Sequence, residues 1–224
     1  MGPARDVVRI QLAIDSLGLE EGVTLVSRVR DLVDIVEVGT PLVIREGVAA
    51  VRRFRQAFPE VPVLADLKIV DGGYLEASLG FEAGARMVTA LATAADATIR
   101  EVVRAAREQG GEVMVDFLGI EDLPGRAREV DSLGANYLCL HIAVDVLGEV
   151  DDPSGAVAAG LQAVKAVLRR AGTAVAGGIT PVEARSLARL SPDIVVVGSG
   201  IARAPDPRAA AVALRAALHS GGEP

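Results

Sequence analysis

An α/β chain closed into a single (β/α)8 TIM barrel is the fold that this sequence predicts, and three observations predict it. Short apolar runs recur eight times with helical segments between them, and strict strand and helix alternation implies parallel pairing. The 224 residues are 50% hydrophobic but only 3% aromatic, with no Trp, so the core must be built from Val, Leu, Ile and Ala. That composition suits parallel strands buried on both faces. The first apolar run ends in Ile14-Asp15-Ser16-Leu17-Gly18, not in the GxGxxG turn that the alternative, an open doubly wound sheet, usually carries there. Since such barrels run to roughly 250 residues, one domain over 1–219 is expected, with 220–224 a disordered tail.

Taken in order, the strands are expected at 9–14, 34–38, 63–67, 87–91, 113–117, 137–141, 173–176 and 194–197. Between the second and third, Val48, Val51, Phe54, Arg55 and Phe58 fall at helical spacing, with Arg52, Arg53 and Gln56 off that face. The segment 98–109 behaves likewise. Gly84 and Gly134 follow helices, where a left-handed C-cap is expected. The segment 143–155, with Gly148, Asp151, Asp152, Pro153 and Ser154, is the longest without periodicity and is the candidate for a mobile lid.

Composition also excludes several function classes. A formal net charge of −7 and the scarcity of aromatic rings argue against nucleic acid, although a small anion needs only a local positive site. No run approaches the roughly 20 apolar residues of a membrane span, and the N-terminus has no signal-peptide apolar region. A cytoplasmic protein is expected. The lone Cys139 lies inside Tyr137-Leu138-Cys139-Leu140 and reads as a buried, inert thiol.

Barrel enzymes carry catalytic groups at the C-terminal ends of their strands, and polar residues gather at those ends here. The third run, Val63-Leu64-Ala65-Asp66-Leu67-Lys68-Ile69-Val70-Asp71, sets two carboxylates and an ammonium at DxKxxD spacing. Side chains alternate along a strand, so Asp66 and Lys68 share a face, and Asp71 lies just beyond, at a loop. Asp15 ends the first strand, Glu37 lies in the second, Asp116 in the fifth, and His141 ends the sixth. Asp15, Glu37, Asp66 and Asp71 converging on one mouth would repel one another, and Lys68 alone cannot neutralise them. A hard cation held by Glu37 and Asp66, with waters or substrate oxygens completing an octahedron, answers that repulsion, and Mg²⁺ suits it.

An imidazole, whose free value lies near 6.5, suits a proton shuttle at His141, whereas His219 lies in the terminal helix and is expected to be inert. Gly177-Gly178 and Gly198-Ser199-Gly200 end the last two strands and would let backbone N–H groups approach a phosphate, with Arg203 adding charge. Plainer readings stand beside these: a solvated strand end for Glu37, a structural ion pair for Asp66 with Lys68, a helix cap for Asp15, a structural histidine for His141, and tight turns for the glycines.

Together these positions resemble the orotidine 5'-phosphate decarboxylase suprafamily, whose shared signature is DxKxxD on the third strand of a (β/α)8 barrel. The resemblance runs over about 9–218. It is most similar to the 3-hexulose-6-phosphate synthase branch, through Gln11-Leu12-Ala13-Ile14-Asp15, Val36-Glu37-Val38-Gly39-Thr40-Pro41, Ala65-Asp66-Leu67-Lys68, Asp96-Ala97-Thr98-Ile99 and Ala176-Gly177-Gly178-Ile179. Orotidine 5'-phosphate decarboxylases have a lysine where Glu37 stands and use no metal. The 3-keto-L-gulonate-6-phosphate decarboxylases share Glu37 and DxKxxD but carry an arginine where Val144 stands. In the synthases the histidine is typically followed by Thr-Gly-Tyr-Asp; here Asp145 keeps the acid, while Ile142-Ala143-Val144 replace the rest and leave the second substrate open.

The resemblance implies a reversible aldol condensation of formaldehyde with D-ribulose 5-phosphate through a 1,2-enediolate. Mg²⁺ would sit on Glu37 and Asp66, Lys68 would stabilise charge and His141 would carry the proton. Asp15, Asp145, Gly177, Gly178, Gly198, Ser199 and Gly200 would bind the sugar phosphate. It also implies a homodimer in which Asp71 serves the neighbouring subunit's site. The runner-up is a decarboxylase or another lyase of the same suprafamily, and a catalytically silent phosphosugar-binding barrel is the reading from a different class.

Overall fold

The computed structural model describes residues 7–219 other than Leu147 and Val150, and the side chain of Ser154 is also left aside. The expected N-terminal segment before Val7 and the tail 220–224 therefore lie outside the described residues. Eight parallel strands close into a barrel in sequential order, β1-β2-β3-β4-β5-β6-β7-β8, with β8 pairing back to β1 through Arg9 opposite Ile194 and Leu12 opposite Val197. The strands are β1 (Arg9–Ile14), β2 (Ile35–Val38), β3 (Val63–Ile69), β4 (Met87–Leu91), β5 (Glu112–Asp116), β6 (Tyr137–His141), β7 (Gly172–Ala176) and β8 (Ile194–Val197). All eight fall where the apolar runs place them, within a residue or two at each end. The open sheet is thereby set aside.

The helices follow from the same local chemistry. After β1 comes α1 (Leu19–Val29), capped at Gly18, whose N–H is accepted by Glu21. Asp15 is therefore not the cap of this helix, because three further residues separate it from the first turn. Two helices, α2 (Thr40–Glu46) and α3 (Ala49–Ala57), fill the second connection, and α3 buries Val51 and Phe54 while leaving Arg55 exposed. Next come α4 (Gly73–Glu82) and α5 (Asp96–Gln109). Prolines in the first turn, whose missing N–H costs nothing there, open α6 (Leu123–Leu133), α7 (Pro153–Lys165) and α8 (Pro181–Ala188). Asp122, Asp152 and Thr180 cap those three. The short α9 (Ser199–Ala202) and α10 (Pro207–His219) close the ring. Gly84 and Gly134 adopt φ of 98° and 97°, the left-handed conformation expected of helix ends.

The described part of 143–155 is not free of structure. It holds a 3₁₀ turn, Val144–Val146, and the Asp152 side chain accepts from Gly155 N–H at 2.9 Å to start α7. Among the described residues no helix is long and apolar enough to cross a membrane.

Two apolar layers hold the fold. The larger lies between the outward faces of the strands and the helices. The smaller fills the barrel's lower interior with Ile35, Leu64, Met87, Met114, Tyr137 and Ile194. Above them the inward positions turn small or polar, with Ala13, Ala174 and Ala176 beside Gln11, Glu37 and Asp66. The barrel therefore opens into a cavity of about 570 Å³ at the C-terminal ends of its strands.

Candidate active site

The β1 to β5 side of this cavity is a charged wall built around an irregularity in β3. Ala65 pairs with Val88 and Ile69 with Ala90, so three residues, Asp66 to Lys68, stand opposite the single Thr89. The excess is taken up at Lys68, which has a φ of 47°, a conformation that costs a residue with a side chain on the order of 1–3 kcal/mol. Thr89 secures it. Its hydroxyl accepts from Lys68 N–H at 2.9 Å and donates to Asp66 Oδ1 at 2.7 Å. From the other side Thr40 Oγ1 reaches Asp66 Oδ2 at 2.6 Å and the Asp66 carbonyl at 3.0 Å.

So held, Lys68 Nζ lies 2.9 Å from Asp66 Oδ2 and 3.1 Å from Asp116 Oδ2. Asp116 also meets His141 Nδ1 at 2.9 Å, which links four side chains into one chain of contacts. Burial by itself would lower the Lys68 pKa, but Asp66 and Asp116 outweigh it and hold the ammonium above the ordinary lysine range. Burial would raise Asp116, yet His141 and Lys68 together keep it below the ordinary carboxylate range. An ionised Asp116 can only accept, so His141 Nδ1 carries the hydrogen and Nε2 is left to take a proton.

The remaining carboxylates are pushed the other way. Burial first, then Asp66 and Asp15, drives Glu37 well above its usual value, against a Gln11 Nε2 hydrogen bond of 2.5 Å to Glu37 Oε2. Burial and then Asp66 raise Asp15, while Lys68 and His141 oppose. Deep in the cavity, the Cys139 thiol is held well above its usual pKa by burial, so it stays protonated, as an inert core thiol should.

Glu37 and Asp66 line one cavity, as a shared ion requires. Gln11 is 1% exposed and its Oε1 has no partner among the described residues, which adds a third buried oxygen beside Glu37. Among the described residues no cluster of three or more His, Cys, Asp or Glu forms a metal cage. Two carboxylates with an amide oxygen nearby fit Mg²⁺, which binds through one or two carboxylates and keeps waters and substrate oxygens for the rest.

The β6 to β8 side is a glycine wall. Gly177 and Gly178 follow β7 with φ of 105° and 62°, and a Cβ on Gly177 would lie 2.9 Å from the Ile142 carbonyl. Gly178, Gly198, Ser199 and Arg203 line the cavity, as do Asp15 and Asp145. Gly200 does not: its Cα packs toward the Ile179 carbonyl, 2.7 Å from where a Cβ would stand. Asp71 is exposed, lies outside the lining and accepts from Gly72 N–H at 2.8 Å. Apart from the exposed Asp145, the carboxylates that meet at the mouth are therefore Asp15, Glu37, Asp66 and Asp116, with Asp71 outside the set. Sequence reasoning assigned no role to Gln11, Thr40, Thr89 or Asp116. The signal available for Gln11 and Thr89 was a polar residue inside an apolar strand, which is costly unless it is bonded.

Comparisons with known proteins agree with this architecture. Residues 8–214 match the model of the Orotidine 5'-phosphate decarboxylase / HUMPS family. A Staphylococcus saprophyticus protein named 3-hexulose-6-phosphate synthase 3 is 44% identical over 211 residues, covering 94% of this chain and 99% of its own. The crystal structure of 3-hexulose-6-phosphate synthase from Salmonella typhimurium superposes with a TM-score of 0.90 at 41% identity, over 96% of this chain and 100% of that one. That of 3-keto-L-gulonate-6-phosphate decarboxylase from Vibrio cholerae gives 0.81 at 26%, over 97% and 100%. With a closed eightfold barrel, Asp66 and Lys68 of the DxKxxD motif at its mouth and a family match over nearly its whole length, the chain belongs to the Orotidine 5'-phosphate decarboxylase / HUMPS family.

Proposed function

We propose that this chain is a magnesium-dependent aldolase that condenses formaldehyde with D-ribulose 5-phosphate, reversibly, to a 3-hexulose 6-phosphate. The observation that carries the reading is the Asp66–Lys68–Asp116–His141 chain of contacts facing the cavity beside Glu37. It joins a fixed positive charge to a proton carrier whose tautomer is set. The relatives at 41% and 44% identity are named 3-hexulose-6-phosphate synthases, which supports the same product.

The difficult step is removal of a C1 proton to give a 1,2-enediolate. His141 Nε2 takes that proton, and the Lys68 ammonium, already held in place, stabilises the developing oxyanion without reorganisation. Magnesium, held by Glu37 and Asp66, would supply Lewis-acid stabilisation of the same charge. The C1 carbon then forms its bond to formaldehyde, and protonated His141 returns the proton to the new alkoxide. Backbone N–H groups of Gly178 and Ser199, with Arg203, hold the phosphate, so that remote binding energy orients C1. Asp15 and Asp145 face the sugar hydroxyls.

A homodimer belongs to the reading. Val70 beside Asp71, and Leu75 and Leu79 one turn apart on the following α4, are large exposed apolar side chains. A second copy covering them would bring Asp71 to the neighbouring mouth.

Incubating the protein with Mg²⁺, ribulose 5-phosphate and labelled formaldehyde tests the proposal: a labelled six-carbon phosphate is expected, and EDTA abolishes it. No such product, together with CO2 release from 3-keto-L-gulonate 6-phosphate, would transfer the chain to the decarboxylases. Ribulose 5-phosphate binding without any turnover would make it a silent binding barrel.

A further inference from the structure

Of the four carboxylates at the mouth that are at least partly buried, Asp15 differs in how it is held. Glu37 is bonded by Gln11, Asp66 by Thr40, Thr89 and Lys68, and Asp116 by Lys68, His141 and the Leu118 N–H. No hydrogen bond to Asp15 is found among the described residues, and only burial and the charges of Asp66, Lys68 and His141 act on it.

What fixes its direction is room. A Cβ on Gly39 would lie 1.9 Å from Asp15 Oδ1 and 3.0 Å from its Cγ, and one on Gly198 would lie 3.1 Å from Oδ2. Gly39 follows β2 and Gly198 follows β8, the two strands that flank β1, so the carboxylate lies in a slot between two bare Cα atoms. The Gly39 backbone does not itself call for glycine. Its φ of −66° and ψ of 157° are an extended conformation open to any residue. Its other close neighbour is the Ile14 carbonyl, 3.0 Å from a would-be Cβ and the acceptor of the Gly39 N–H at 3.1 Å, a backbone contact that must give by a few tenths of an ångström.

We propose that Gly39 is a positioning residue of the sugar site: with Gly198 opposite, its missing side chain leaves the slot that aims the Asp15 carboxylate, with its lone pairs free, at the hydroxyls of a sugar phosphate. This rests on the aldolase reading for the identity of the sugar, and on geometry alone for the slot. The atom nearest to a methyl at residue 39 is the end of a short side chain, well inside the distance to the Ile14 carbonyl, so the added methyl turns Asp15 aside before it strains the strands. Function is then lost without the fold.

A double-mutant cycle tests this, with wild type, Gly39→Ala, Asp15→Ala and the double variant assayed for kcat/KM toward ribulose 5-phosphate and for Tm. Gly39→Ala should lower kcat/KM by on the order of tenfold to a hundredfold, the size of loss that about 1 Å of misplacement causes, with Tm little moved. In the Asp15→Ala background the same change should alter kcat/KM by less than about twofold, because nothing is left to displace. Wild-type kcat/KM in Gly39→Ala, or equal losses in both backgrounds, would overturn the proposal. A crystal structure of Gly39→Ala decides it independently of the substrate. Asp15 rotated out of the slot supports the proposal, and Asp15 unmoved refutes it even if no condensation is seen in wild type, an outcome that would sink only the aldolase reading.

Discussion

The two walls of the cavity are held by different means. On the β1 to β5 side each functional group except Asp15 is tied by side-chain hydrogen bonds of 2.5 to 3.2 Å, from Gln11 through Thr40 and Thr89 to His141. On the β6 to β8 side, past His141 and the segment Ile142 to Asp145, the lining includes glycine backbone at Gly177, Gly178 and Gly198, with Ser199 and Arg203 beyond. A bonded wall fixes charges in place before substrate arrives, which is what stabilising a short-lived anion demands. A bare backbone wall offers N–H groups and space, which suits an anion that arrives already charged. The contrast separates chemistry from binding within a single pocket.

Lys68→Ala should break the contrast most severely. It leaves Asp66 and Asp116 buried without their cation, and kcat should fall by on the order of 10²- to 10³-fold, the usual cost of losing an oxyanion-stabilising group. Next comes Asp116→Asn, which removes the charge and leaves one acceptor oxygen for Lys68, the Leu118 N–H and His141, so that the His141 tautomer is no longer fixed. A loss of on the order of a hundredfold in kcat is expected, with an altered pH–rate profile and nearly unchanged KM. Arg203→Ala probes the other wall, and should raise KM for ribulose 5-phosphate by about tenfold while leaving kcat near wild type, the mark of lost uniform binding. An equal fall in kcat would show that the two walls do not divide the work as described.

Smaller effects test how the charged wall is built. Thr89→Val strands the Lys68 N–H, and losing such a partner costs about 1–3 kcal/mol, read as a Tm several degrees lower. The Asp15 carboxyl has a raised pKa, so the folded protein is penalised for holding it charged only above the ordinary carboxylate range. Below that range both folded and unfolded chains carry the proton and the penalty vanishes. Asp15→Asn should therefore raise Tm by about a degree or two at pH 7 to 8 and leave it unchanged near pH 3.

The barrel was legible because each strand is a compact apolar run, and a strand buried on both faces needs little else. Glu37, Asp66 and Lys68 were legible because charge inside such a run is rare. Thr89 was not, since its role exists only where three residues of β3 meet one of β4, a matter of register between segments some 20 positions apart. Asp116 was noticed as a strand-end acid, but its bonds to Lys68 and His141 arise from neighbouring strands brought together by closure. Asp15 reads equally as a helix cap from sequence, and only the position of Gly18 at the start of α1 decides the matter. Asp71 shares its motif with Asp66 and Lys68, yet the strand ends at Ile69 and carries it outside the cavity.

The central claim is that the charged wall stabilises an enediolate formed by loss of the C1 proton, and solvent exchange at that carbon tests it most directly. With Mg²⁺ and ribulose 5-phosphate in D2O and no formaldehyde present, wild type should place deuterium at C1, observed by NMR. His141→Asn and Lys68→Ala should not. A wild-type enzyme that forms the hexulose phosphate while C1 never exchanges, or a Lys68→Ala variant that exchanges as fast as wild type, would contradict the account.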